Sequence, residues 1–217
     1  MTMVQFDMSA LVDDLRPVRL VTRRDNLLLV IGATLIASCI VAMTVGVRAD
    51  VMAGHPHPIV IIRAGLLLLL GLATTLAVAT AARPSIGKPH NGWMWALMAV
   101  SLFPFAAFCQ FVYDYSAGAP ISHFAQDFQY GRLCLTVSCL SALWIGGFLT
   151  LWLRRGAPTS LNRAGWLVGI AAGSFGTFAF NVHCNSVSIF YIGFWYSLAV
   201  VICAVAGRLI VPHLIRW

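Results

Sequence analysis

Long apolar runs alternate with short polar breaks along the whole chain. Six stretches, residues 27–47, 59–82, 93–113, 133–153, 164–184 and 188–210, consist almost wholly of apolar and small residues. A helix rises about 1.5 Å per residue, so about 20 such residues span the ~30 Å hydrocarbon layer of a bilayer. The pattern therefore predicts an all-α polytopic membrane protein, a bundle of six transmembrane helices. The fifth stretch is the least apolar, being rich in Gly and closing on Asn181 and His183. Turn residues mark the breaks: Gly54-His55-Pro56-His57-Pro58, Ala82-Arg83-Pro84-Ser85, Ala117-Gly118-Ala119-Pro120 and Arg155-Gly156-Ala157-Pro158. The longest outer connection, residues 114–132, is too short for a folded domain. No internal repeat is visible, so the inverted-repeat plan of many transporters is not indicated.

Residues 1–26 are polar and mixed in charge, and the apolar run after them is too long for a signal-peptide core. They are predicted to be a retained cytoplasmic tail, with residues 27–217 forming the membrane domain. Within the tail, Met8, Leu11, Val12, Leu15 and Val18 recur at helical spacing, with Asp13, Asp14 and Arg16 on the other side. Pro17 then ends or kinks that helix. Such a segment suits docking into a groove on a partner. It equally suits lying on the membrane beside Arg19, Arg23 and Arg24, although Asp13 and Asp14 oppose anionic lipid.

Charge sharpens this picture. Only 10% of residues are charged, against about a quarter in soluble domains, and all seven acidic residues are Asp. The net charge of +7 is placed at the ends of apolar runs rather than in a stripe interleaved with aromatics, so direct nucleic-acid binding is not expected. With the N-terminus inside, the cytoplasmic segments hold Arg16, Arg19, Arg23, Arg24, Arg83, Lys88, Arg154, Arg155, Arg163, Arg208 and Arg216. The other side holds Arg48, Arg63 and Arg132, which is three of the fourteen basic residues. The positive-inside rule thus predicts that both termini are cytoplasmic.

Chemistry-bearing residues are sparse. Arg63 lies close to the outer end of the second stretch, where its long side chain is expected to snorkel outward. Mid-span Asp or Glu, needed by proton-coupled carriers, are absent. Neither a Gly-x-Ser-x-Gly, a His-Glu-x-x-His nor a phosphate-binding loop is present, and no enzyme activity is expected. Gly165, Gly169 and Gly173, with Gly176 beyond, predict close helix packing. His55, His57, His123 and His183 fall on the outer side and His90 and His213 inside; they read as loop histidines or as a scattered outer metal site. Cys39, Cys139 and Cys203 are mid-span, where Cys behaves as a small hydrophobe, and Cys109 is ambiguous. Cys134 and Cys184 differ: each lies roughly 30 Å along its helix from the inner loop joining the fourth and fifth stretches. Both thiols are therefore expected at the outer interface. That placement permits a disulfide, a shared soft-metal ion or two unrelated buried thiols.

One set of residues is shared with a known family. Leu153-Arg154-Arg155-Gly156-Ala157-Pro158, Ala164-Gly165, Ala171-Ala172-Gly173, His183-Cys184, Trp195-Tyr196, Pro212 and Arg216-Trp217 stand in an order and spacing that resembles the NrsF-type family. Its members are six-helix inner-membrane anti-sigma factors of bacteria. The likeness covers most of the chain, is strongest over residues 133–217, and reappears in Leu11 through Val18, similar to the family's Leu-x-x-x-Leu-x-Pro-Val. The resemblance implies that a short N-terminal part, here Leu11, Asp14, Leu15, Pro17 and Val18, binds an extracytoplasmic-function sigma factor and holds it inactive. It also implies that Cys134 and Cys184, with His183 as a possible third group, sense heavy-metal or oxidant stress near the periplasmic face and trigger release. No obligatory cofactor follows, only a transient soft metal ion or a disulfide at the pair. The chain departs from the pattern where Asn185-Ser186-Val187 follows His183-Cys184, a place at which the family commonly has acidic residues. Two other classes stand beside this reading: a small-solute transporter or permease, and a membrane thiol oxidoreductase, which usually wants a Cys-x-x-Cys that this chain lacks.

Overall fold

The computed structural model describes residues 22–82, 92–117, 122–156, 158 and 160–215. The tail positions Leu11, Asp14, Leu15, Pro17 and Val18 lie outside these residues.

Each element begins for a local reason. Helix α1 (Arg23–Thr44) starts where the Thr22 hydroxyl accepts from the Asp25 N–H (3.1 Å), and Asp25 in the first turn complements the helix dipole. Gly46 then turns the chain at φ +96°, a conformation costly for any side-chain-bearing residue. A single turn, α2 (Ala49–Met52), follows, and Gly54 (φ +76°) reverses the chain again. Helix α3 (Pro58–Ala81) opens with proline at its first position, where a missing N–H costs nothing, and the His57 ring nitrogen caps the Ile59 N–H at 3.3 Å. Helices α4 (Gly92–Ser116), α5 (Ser122–Leu153) and α6 (Leu161–Asn181) come next. The last helix, α7 (Ile189–Ile215), carries a π-helical turn over Ile192–Tyr196. Among the described residues every regular element is a helix.

Helix α6 is the axis of the bundle. Almost all of its residues from Ala164 to Asn181 are buried, and it packs on α7, α5 and α3. Its glycines make this possible. A Cβ on Gly165 would stand 2.7 Å from the Gly207 carbonyl oxygen, and one on Gly207 2.6 Å from that of Gly165. Gly169 and Gly173 meet Cys203, Ala204 and Val200 of α7, while Gly176 meets Ser138 and Ala142 of α5. Without side chains between them the backbones approach closely, gaining dispersion contacts along the seam.

Around this axis the polarity is that of a lipid-soluble protein. Leu35, Ile40 and Met43 on α1, Ile62 and Leu69 on α3, and Leu209 and Leu214 on α7 all point outward and are exposed. Such a continuous apolar exterior is far beyond what a monomer carries in water. Four helices among the described residues are long and apolar enough to cross a membrane: Arg24–Thr44, Pro58–Ala81, Tyr130–Leu153 and Ile189–Ile215. Six were expected. The stretch 164–184 is a helix of sufficient length but lower hydropathy, because α6 is wrapped by protein and is built from Gly, Ala, Ser and Thr. The stretch 93–113 falls in α4, part of whose side chains lie outside the described residues.

Candidate functional site

Cys134 sits near the start of the membrane-length part of α5, and Cys184 in the turn between α6 and α7. The Cys184 N–H donates to the Phe180 carbonyl (3.2 Å), so the thiol is held just past the helix end rather than on the helix as its position predicted. Both cysteines are free and fully buried. They share one apolar cluster with Leu67, Phe180, Tyr191, Ile192, Trp195 and Tyr196. Two helices and a turn thus bring together the two thiols that the sequence singled out. Close packing there depends on Gly131, one turn before Cys134: any side chain at that position would run into the Trp195 ring.

A cation joins them. Arg63 does not snorkel outward; only 2% of it is exposed. Its guanidinium donates to the Cys184 carbonyl (2.7 Å) and the Ser186 carbonyl (2.8 Å), lies 3.6 Å from Cys184 Sγ, and rests over the Tyr196 ring at 5.7 Å. Snorkelling loses because these carbonyls and the aromatic face already replace water inside the bundle. No carboxylate reaches Arg63 among the described residues, where the one ion pair is Arg48 with Asp50. Its Nε likewise finds no acceptor among them. A buried cation held only by neutral groups is costly and is retained at functional positions more often than at structural ones.

The turn carrying Cys184 is also fastened to the C-terminal end of α1. The Arg48 N–H donates to the Val182 carbonyl (3.1 Å), and the Arg48 guanidinium donates to the Cys184 carbonyl (2.9 Å). His183 Nδ1 stands 3.2 Å from the Gly46 carbonyl; a carbonyl only accepts, so Nδ1 carries the proton in this contact. Asp50 fixes the other side of Arg48 at 2.5 Å and accepts the N–H groups of Val51 (2.9 Å) and His57 (3.1 Å). Partial desolvation disfavours its charge, but Arg48 and the two N–H groups outweigh that and hold the Asp50 carboxyl below its ordinary pKa.

Among the described residues no three His, Cys or Asp side chains gather into a metal site. Arg63 is visible in the sequence as an ionisable group within a span, but the acceptors that hold it inward are not. Arg48 carried no signal beyond its basic charge, Tyr196 stood only within the family-shared Trp195-Tyr196 pair, and Tyr191 carried none.

The family model described as NrsF, negative regulator of sigma F, matches residues 11–217. The anti-sigma-F factor NrsF of Caulobacter vibrioides (strain NA1000 / CB15N) is 29% identical over 152 residues, covering 69% of this chain and 68% of that protein. The probable anti-sigma-F factor NrsF of Azospira oryzae (strain ATCC BAA-33 / DSM 13638 / PS) is 36% identical over 61 residues, 28% of this chain and 29% of the other. No solved structure matches.

Proposed function

Because the chain belongs to the NrsF family of negative regulators of sigma F, we propose that it holds a sigma factor of the extracytoplasmic-function class inactive at the bacterial inner membrane. Residues 1–26 form the partner-binding segment, with Leu11, Asp14, Leu15, Pro17 and Val18 at the contact, and residues 27–217 form the sensor. The observation that carries this reading is the reach of the family match, which begins at residue 11 and so takes in Leu11 to Val18. The chain crosses the membrane six times with both ends inside, in keeping with the eleven basic residues assigned to the cytoplasmic side and three to the other. It is a regulator and not a catalyst.

Release follows from chemistry at Cys134 and Cys184 on the periplasmic side. A soft metal ion binds both thiols after they give up their protons. Alternatively a peroxide takes two electrons from the pair, an S–S bond replaces two S–H bonds, and the peroxide leaves as two waters or, if organic, as an alcohol and a water. Either event draws the Cys184 turn toward α5. That turn is hydrogen-bonded to Gly46 and Arg48 at the outer end of α1, and α1 leads directly to the N-terminal segment.

Affinity purification from detergent extracts tests the core of the reading. A sigma factor is expected to co-purify with the full chain and to be lost when residues 1–20 are removed; its absence from the full-chain preparation refutes the assignment. Cys134→Ser and Cys184→Ser are each expected to leave repression intact and abolish induction by cadmium or peroxide. Induction that survives both substitutions removes the thiol pair from the mechanism.

A further inference from the structure

A second pair of thiols lies deeper in the bundle, apart from the outer cluster. Cys139 of α5 and Cys203 of α7 line one and the same groove of the bundle. Along their helices they stand about 21 Å from Leu153 and about 18 Å from Ile215. Little bulk stands on α6 at this level: Gly169 and Gly173 face Cys203, and Gly146 of α5 faces the small Ala172. Both thiols are partly exposed and line an apolar groove of about 370 Å³ between α5, α6 and α7, shared with Ala142, Gly146, Ala172 and Gly207. The groove opens on the outer surface of the apolar helices, the surface that lipid covers.

We propose that Cys139 and Cys203 form a redox pair that reacts with lipid-soluble hydroperoxides. The apolar lining excludes water-borne reagents in favour of molecules that partition with acyl chains, and the groove gives such a molecule room beside both sulfurs. One thiol attacks the terminal peroxide oxygen; the O–O bond breaks, the sulfur becomes a sulfenic acid, and the hydroperoxide leaves as its alcohol. The second thiol then attacks that sulfur, an S–S bond forms, and water leaves with the second proton. Two electrons pass from the two thiols to the hydroperoxide. The product staples α5 to α7 across α6, at mid-depth. This pair is independent of Cys134 and Cys184, and its oxidation does not require the anti-sigma reading.

The full chain in lipid nanodiscs, treated with cumene hydroperoxide, tests the proposal. Digestion and mass spectrometry of the wild-type protein are expected to find a dithiothreitol-sensitive peptide pair joining Cys139 to Cys203. In the variant with Cys39→Ser, Cys109→Ser, Cys134→Ser and Cys184→Ser, treatment is expected to remove both sites of maleimide-polyethylene-glycol labelling, and dithiothreitol to restore them. The wild-type measurement stands whether or not that variant folds. Recovery of both thiols unoxidised from the wild-type protein, in which the exposed Cys109 has been fully oxidised, overturns the proposal. So does the appearance of separate sulfinic acids at the two positions without any joined peptide.

Discussion

Arg63 sets the terms at the residue scale. Inside the bundle it donates to two carbonyls of the α6–α7 turn, that of Ser186 and that of Cys184, which it shares with Arg48, and it stacks on Tyr196. Removing it takes the donor from the Ser186 carbonyl, leaves the Cys184 carbonyl to Arg48 alone, and opens a hole where the guanidinium stood. Charge-assisted hydrogen bonds contribute roughly 1.5–3 kcal/mol each, and stranding a buried acceptor costs about 1–3 kcal/mol. Arg63→Ala is therefore expected to lower stability by about 2–4 kcal/mol, read as a fall in the unfolding midpoint in detergent, whereas Arg132→Ala, at an exposed position, is expected to stay within about 0.5 kcal/mol of the parent. Equal midpoints for the two variants would contradict the structural role given to Arg63. The misreading of Arg63 has a physical cause: helical depth is legible from sequence, but whether a long side chain finds carbonyls inward or water outward depends on a neighbouring turn about 120 residues away.

At the scale of elements, the apolar runs translate directly into helices, because length and hydropathy are local properties. The starts shift by up to four residues in most of them; α5 instead begins at Ser122, well before its apolar run, since polar residues outside the hydrocarbon layer extend a helix freely. What a helix packs against is not local. Gly169 and Gly173 predict close packing; the face they form meets α7, and the first helix packs on α5 and α6. Spacing announces a close approach without naming the partner. The difference is measurable. A Cβ on Gly169 would collide with the Cys203 carbonyl and stand 2.7 Å from Ala204 Cα, both backbone atoms that cannot turn aside, whereas Gly147 faces nothing within 4 Å. Gly169→Ala is expected to cost about 1–3 kcal/mol. Gly147→Ala is expected to be neutral or to stabilise by up to about 1 kcal/mol through reduced backbone freedom in the unfolded chain. Thermal unfolding of the two variants side by side checks this, and an equal loss in both would mean that the seam is not tightly closed.

At the scale of the whole molecule, the question is how an event between α5 and the α6–α7 turn reaches an N-terminal segment carried by α1. The candidate thiols were legible because depth follows from counting residues along a helix; the connection was not, because it rests on backbone groups and on one arginine with no motif around it. Three contacts make that connection: Arg48 N–H to Val182, the Arg48 guanidinium to Cys184, and His183 Nδ1 to Gly46. Two of the three depend on side chains and can be removed without touching either thiol. In the double variant Arg48→Ala, His183→Ala, the sigma factor is expected to remain bound, since nothing in residues 1–26 has changed, and Cys134 and Cys184 are expected to oxidise as in the parent. Release on oxidation is expected to fall at least about tenfold, because two hydrogen bonds of roughly 1 kcal/mol or more each no longer couple the turn to α1. Asp50 supplies a control through pH. Its depressed carboxyl pKa means that its contribution is complete above the ordinary value of 3.8 and is lost only as pH falls through the lower folded value. Coupling measured at pH 7 and at pH 5 should therefore agree. Thiol oxidation and sigma-factor release measured on the same samples separate the outcomes: oxidation without release supports transmission through this joint, and undiminished release in the double variant would mean that the signal reaches α1 by its packing against α5 and α6 instead.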